Sequence, residues 1–88
     1  MLEIKAEIIN KAGLHARAAS KLVALTSTFS SKIEIGNDKM VDGKSILSLM
    51  MLAAVRGTTL TITADGEDEN QAITAIVALL NAKFDEDE

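Results

Sequence analysis

The sequence predicts an α+β domain with elements in the order β-α-β-β-α-β-α, a sheet covered on one face by three helices. Two periodicities and a set of turn signals predict it. Near the N-terminus, and again from Thr58 to Ala64, apolar and polar residues alternate with period two, as half-buried strands do. Three other stretches carry apolar residues at helical spacing or run apolar throughout. Turn-forming clusters separate them: Asn10-Lys11-Ala12-Gly13, Gly36-Asn37-Asp38, Asp42-Gly43-Lys44 and Asp65-Gly66. A sheet with one apolar face needs a covering layer, which the helices supply, leaving the threonine-rich side to water.

Taken in order, Leu2, Ile4, Ala6 and Ile8 form the inward side of the first strand. A helix is expected from Ala16 to about Ser27, with Leu22, Val23, Thr26 and Phe29 at helical spacing and Ala16, Ala18 and Ala19 as strong helix formers. Ser31 to Ile35 reads as the second strand, and Lys39 to Val41 as a short third strand completing a hairpin. Ser45 is placed to cap a second helix, Ile46 to Ala54, which Arg56-Gly57 ends. In the fourth strand Leu60, Ile62 and Ala64 face inward, and Thr59, Thr61 and Thr63 outward. Asp68 is the expected N-cap of the last helix, whose apolar stripe is Ala72, Ile73, Ile76, Val77, Leu80 and Phe84. Residues 85–88 are an acidic tail at the unfavourable end of a helix dipole, so fraying is expected there.

Composition excludes several functions. Eighty-eight residues make one small domain. The net charge of −4 and the absence of Trp and Tyr argue against nucleic-acid binding, which needs cations and stacking surfaces. With no cysteine there is no disulfide, thiolate metal site or redox chemistry, and one histidine makes a structural zinc site untenable. No metal is expected. The N-terminus begins as a strand, not as a leader, and the longest apolar stretch, Leu49 to Val55, is too short to cross a bilayer. A soluble cytoplasmic protein without membrane insertion is expected.

The chemistry concentrates at Gly13-Leu14-His15-Ala16-Arg17. His15, the only histidine, stands at the start of the first helix. The first N–H groups of a helix lack partners and its dipole favours negative charge, which makes a phosphate cradle. Arg17 adds a permanent cation with a fork of donors suited to phosphate oxygens. The helix field and Arg17 both disfavour the imidazolium and so favour a nucleophilic ring. A ring nitrogen can then attack phosphorus, and the phosphohistidine can pass the group on. Spacing alone also admits a plain loop histidine or a weak cap.

Gly13-Leu14-His15-Ala16-Arg17, Gly43-Lys44-Ser45 and Gly66-Glu67-Asp68-Glu69 occur in that order in a chain of this length. Together, from about Leu2 to Phe84, they closely resemble the HPr family, histidine-containing phosphocarriers of the bacterial phosphoenolpyruvate:sugar phosphotransferase system. The resemblance implies one HPr domain over residues 1–84. It implies an open-faced β-sandwich, a four-stranded antiparallel sheet in the order 1-4-2-3 under three helices. It implies that His15 accepts a phosphoryl group from phosphorylated Enzyme I, through Nδ1, steadied by Arg17 and the backbone N–H groups of Ala16 and Arg17. The group would pass to IIA domains of sugar permeases. Such a protein is a monomer, a substrate of phosphotransferase enzymes that does not turn over alone, with no cofactor beyond the covalent phosphohistidine. A carrier for a regulatory, nitrogen-type branch has the same chemistry, and a non-catalytic anion- or protein-binding module is the rival from another class. One departure is visible: Ala18 stands where the family usually has proline, which bears on the stiffness of the helix entry.

Two further expectations rest on the resemblance. Ser45 is the counterpart of a serine that a dedicated kinase, HPr kinase/phosphorylase, phosphorylates in many members; on the residues alone it is an ordinary cap. Ile46, Leu47 and Met50 are expected to be exposed and to dock Enzyme I and IIA domains, methionine suiting a surface with several partners. Leu49, Leu52 and Met51 are the expected core residues of that segment.

Overall fold

The alternating segments meet in one sheet because their apolar residues fall in register. A computed structural model describes residues 1–87. It contains β1 (Leu2–Glu7), α1 (Ala16–Thr26), β2 (Lys32–Gly36), β3 (Met40–Asp42), α2 (Ile46–Met51), β4 (Thr59–Asp65), α3 (Glu69–Asn81) and a 3-10 turn (Lys83–Asp85). The sheet is antiparallel throughout, in the order β1-β4-β2-β3. Ile4 pairs with Ile62, Ile62 with Ile35 and Ile35 with Val41, so one apolar row crosses all four strands. Glu3, Thr63 and Glu34 form a neighbouring row on the opposite face. This is the open-faced sandwich, with the strand order, that the family resemblance implies.

α1 and α3 pack beside each other, α3 over β1 and β4. The core between helices and sheet is Ile8, Leu22, Ile33, Ile35, Leu49, Leu60, Ile62, Ile76, Leu80 and Phe84, all essentially fully buried. Ala18 and Ala19 are buried too, and their small side chains let α1 approach closely. With Ala18 in the first turn, the helix still begins regularly, Ala19 N donating to His15 O at 2.8 Å.

The structure corrects the sequence reading at three places. α2 ends at Met51, not at Ala54, because Ala53 takes a left-handed conformation with φ 52 and turns the chain. Asp68 occupies the N-cap position of α3 but caps nothing: at φ −103 and ψ 25 its side chain turns away from the helix amides. It reaches the start of β2 instead, accepting from Ser30 N at 2.8 Å, Ser31 N at 3.0 Å and the Ser31 hydroxyl. Phe84 lies beyond α3, where Lys83, Phe84 and Asp85 are all left-handed, with φ of 56, 54 and 64. Each such residue costs about 1–2 kcal/mol. The turn persists because the Phe84 ring is wholly buried and its carbonyl accepts from Lys21 Nζ at 2.8 Å.

Ser31, and after it the two backbone amides, hold the Asp68 carboxyl down from 3.8 to about 2. A carboxyl with a depressed folded pKa stabilises the fold fully above its unfolded pKa and loses that contribution as pH falls through the folded value. Asp68→Asn is therefore expected to lower the denaturation midpoint at neutral pH. The gap to the unsubstituted protein should close as pH falls from about 4 towards about 2. Thermal melts of both proteins across that range check it.

Candidate functional site

The site is built on the loop between β1 and α1. Asn10 is fully buried, and its Nδ2 donates to Gly13 O at 2.8 Å, closing the turn. Gly13 has φ 73, and a Cβ there would lie 2.6 Å from Ala54 O. Both the conformation and the close approach therefore require glycine. Leu14 is buried and its N–H donates to Ala54 O at 2.8 Å, tying the loop to the segment after α2. His15 follows in extended conformation as the N-cap of α1.

The two ring nitrogens of His15 have different surroundings. Nδ1 accepts from the N–H of Arg17 at 3.3 Å, a long and hence weak cap bond. Nε2 pairs with Oε2 of Glu86, 71 residues away in sequence. The other oxygen of Glu86 accepts from Asn10 Nδ2 at 3.0 Å. A ring nitrogen that accepts a backbone N–H carries no proton, so this network assigns the neutral ring's proton to Nε2 and leaves the Nδ1 lone pair facing the helix N-terminus. Asn10 first, and His15 second, hold the Glu86 carboxyl below its usual range, against a smaller opposing effect of burial. The His15 side chain is 33% exposed, enough to meet a partner. Arg17 is exposed beside it.

Of the sequence-predicted residues, His15, Ala16 and Arg17 come together at the start of α1. Asn10 and Glu86 belong to the same site and were not anticipated. The Asn10-x-x-Gly13 spacing was the available signal for Asn10, as a side chain that bonds its own turn. Glu86 gave none: it was expected in a frayed tail, and it lies folded against the histidine. Glu88, also assigned to that tail, lies outside the described residues.

Ser45 caps α2, its hydroxyl accepting from Ser48 N at 3.2 Å. Lys44 is turned inward, its ammonium donating to Phe29 O at 2.7 Å. Ile46, Leu47 and Met50 are exposed, and Leu49 is fully buried. Met51, expected in the core, is 76% exposed and extends the apolar surface, which Val55 continues. Helical phase is the reason: Met51 falls one turn after exposed Leu47, on the face of α2 opposite buried Leu49. The Leu14–Ala54 bond sets this surface next to the His15 loop. Among the described residues, no group of three or more acidic or histidine side chains is placed to hold a metal ion, and no helix is long and apolar enough to cross a membrane.

An open-faced sandwich that presents a histidine at a helix N-terminus, beside an arginine and an apolar helix, has the build of a small phosphocarrier. The sequence matches the family model described as the PTS HPr component phosphorylation site over residues 2–82. It is 46% identical to Phosphocarrier protein HPr of Pseudomonas aeruginosa, with both chains covered completely. It is also 46% identical to Phosphocarrier protein NPr of Shewanella violacea, covering 97% of this chain and 94% of that one. The crystal structure of HPr-C-His from Thermoanaerobacter tengcongensis superposes with a TM-score of 0.96 at 44% identity, covering all of both chains. The chain belongs to the HPr family, the phosphocarriers of the phosphotransferase system.

Proposed function

We propose that His15 is the residue that carries the phosphoryl group, receiving it on Nδ1 from phosphorylated Enzyme I and giving it to IIA-type acceptors in the cytoplasm. The observation that carries this reading is the Nδ1 lone pair held at the N-terminus of α1. Attack needs only the release of the long bond from Arg17 N. The Nδ1–P bond forms as the donor's N–P bond breaks, and the electron pair of that bond returns to the donor ring. Once Nδ1 is substituted it no longer accepts, so the Arg17 N–H becomes available to a phosphate oxygen. The N–H of Ala16, at the first helical position, has no acceptor within the helix and serves the same group. The exposed Arg17 guanidinium offsets phosphate charge in the crowded transfer state. No cofactor enters the transfer, and the carrier acts as a monomer. The test is incubation with phosphoenolpyruvate and Enzyme I. An acid-labile, base-stable phosphate on the chain is expected, and its absence would refute the reading.

A regulatory branch is the second reading; one relative named NPr, at 46% identity, hints at it, while relatives named HPr predominate. Presenting the phosphorylated protein to IIA domains of sugar permeases and to those of nitrogen control separates the two.

Ile46, Leu47, Met50 and Met51 supply the docking face, and Ser45 at its edge is the regulatory site for an HPr kinase/phosphorylase. A phosphate on Ser45 would meet unpaired helix N–H groups and add up to about 1–2 kcal/mol to the fold. The same charge at an apolar interface must be desolvated against the partner, and the acidic partner face that the family resemblance implies would repel it. Ser45→Asp is therefore expected to slow Enzyme I-dependent phosphorylation while leaving the thermal midpoint unchanged or higher. Added salt should relieve part of the kinetic defect. Phosphorylation at the unsubstituted rate in low salt would reduce Ser45 to a helix cap.

A further inference from the structure

Near the C-terminus, the side-chain carboxylate of Glu86 reaches back to His15. Glu86 lies past the last helix, and three left-handed residues precede it or lead into it: Lys83, Phe84 and Asp85. That turn is fixed at three points. Phe84 is buried in the core, Lys21 Nζ holds the Phe84 carbonyl at 2.8 Å, and Glu86 N donates to Lys83 O at 3.0 Å. The carboxylate itself is clamped at both oxygens, one by buried Asn10 at 3.0 Å and the other by His15 Nε2. Only 17% of the Glu86 side chain is exposed. The strap covers the Nε2 edge of the ring and leaves the Nδ1 edge uncovered.

We propose that Glu86 is a positioning residue for phosphoryl transfer: its carboxylate, held by Asn10, fixes the Nε2–H form of His15, closes Nε2 to phosphorus and makes Nδ1 the only reacting nitrogen. This rests on the reading of His15 as the phosphoryl carrier. The carboxylate also acts after the transfer. When the Nδ1–P bond forms, the ring keeps its Nε2 proton and acquires cationic character, which the adjacent Glu86 charge stabilises. On the onward transfer the Nδ1–P bond breaks, its electron pair returns to Nδ1, and the ring leaves neutral with the same proton still on Nε2. No proton is gained or lost in either half, so the carrier needs no general base of its own. A carboxylate that orients an imidazole through its second nitrogen acts in this way wherever one ring nitrogen must be kept free.

The test uses the full chain and two variants, with Enzyme I and phosphoenolpyruvate as the donor system. Glu86→Ala removes charge and acceptor. Glu86→Gln removes the charge and keeps one oxygen that can accept from Nε2–H. Single-turnover phosphorylation rates are measured beside the nitrogen and proton NMR signals of the His15 ring. Glu86→Ala is expected to accept phosphate about 10–100-fold more slowly, by analogy with the loss of other orienting partners of histidine. It should also lose the exchange-protected Nε2–H signal. Glu86→Gln is expected to keep that signal and recover part of the rate. Thermal melts establish that both variants are folded. Phosphorylation of Glu86→Ala at the unsubstituted rate would overturn the proposal, as would a slower rate with unchanged ring signals, which would assign Glu86 to docking. An unsubstituted protein that takes up no phosphate would instead refute the carrier reading itself.

Discussion

His15→Ala is expected to take up no acid-labile phosphate from Enzyme I, a complete loss and not a slower reaction. The chain has no second histidine and no cysteine to receive the group. The fold should survive. The side chain is at the surface edge of the domain, and its contribution to the helix is one cap bond of 3.3 Å. Loss of a cap costs about 0.5–2 kcal/mol, and a bond this long belongs at the lower end. Circular dichroism and a thermal melt should therefore report a folded domain while intact-mass analysis reports no phosphorylation. Retained labelling in the variant would place the chemistry elsewhere.

Phe84→Ala is expected to have the largest effect on stability. Its ring is fully buried among core residues, and truncating such a phenylalanine costs about 3–5 kcal/mol. That is a large share of the roughly 5–15 kcal/mol by which a domain is stable. In a domain of this size each kcal/mol moves the thermal midpoint by about 4–8 °C, so a fall of about 12 °C or more is expected. The variant should also loosen the left-handed turn, because nothing else offsets its backbone strain to the same degree. The His15 ring signals should then resemble those of Glu86→Ala at temperatures where the sheet is still intact. Phe84→Leu, which retains most of the buried volume, should lose much less of both. A wild-type midpoint in Phe84→Ala would contradict the anchoring role given to this residue.

The difference between what was and was not legible in the sequence is physical. β1 and β4 were legible because each buries one face, and burial of alternate residues prints a period of two. α1 and α3 were legible from their apolar stripes, and Ser45 as a cap from its type and place before an apolar run. The strand order came with the family resemblance. The end of α2 was not legible, because its left-handed residue is Ala53, and alanine does not advertise that conformation as glycine does. Met51 is hard to place because the segment is apolar nearly all round, so its pattern does not show which face is buried; the structure buries Leu49 and exposes Leu47 and Met51. Asp68 was read by the local rule for caps, whereas a contact with Ser30 and Ser31, nearly forty positions away, takes its carboxylate. At the site, the histidine, its helix and the arginine are contiguous in sequence and were found together. The Glu86 contact spans 71 positions and depends on a turn that no local pattern encodes. The helix dipole argues for fraying in the tail, and the buried Phe84 ring, the Lys21 bond to its carbonyl and the Asn10 and His15 bonds to Glu86 outweigh it.

The central claim is that Nδ1 of His15 carries the phosphoryl group while Nε2 keeps its proton against Glu86. It is tested most directly by labelling the histidine ring with nitrogen-15, phosphorylating the protein with Enzyme I and phosphoenolpyruvate, and recording the phosphorus–nitrogen coupling by NMR. A coupling to Nδ1, with a proton still on Nε2, is the expected result. A coupling to Nε2, or a phosphorylated chain with no coupling to either ring nitrogen, would contradict it.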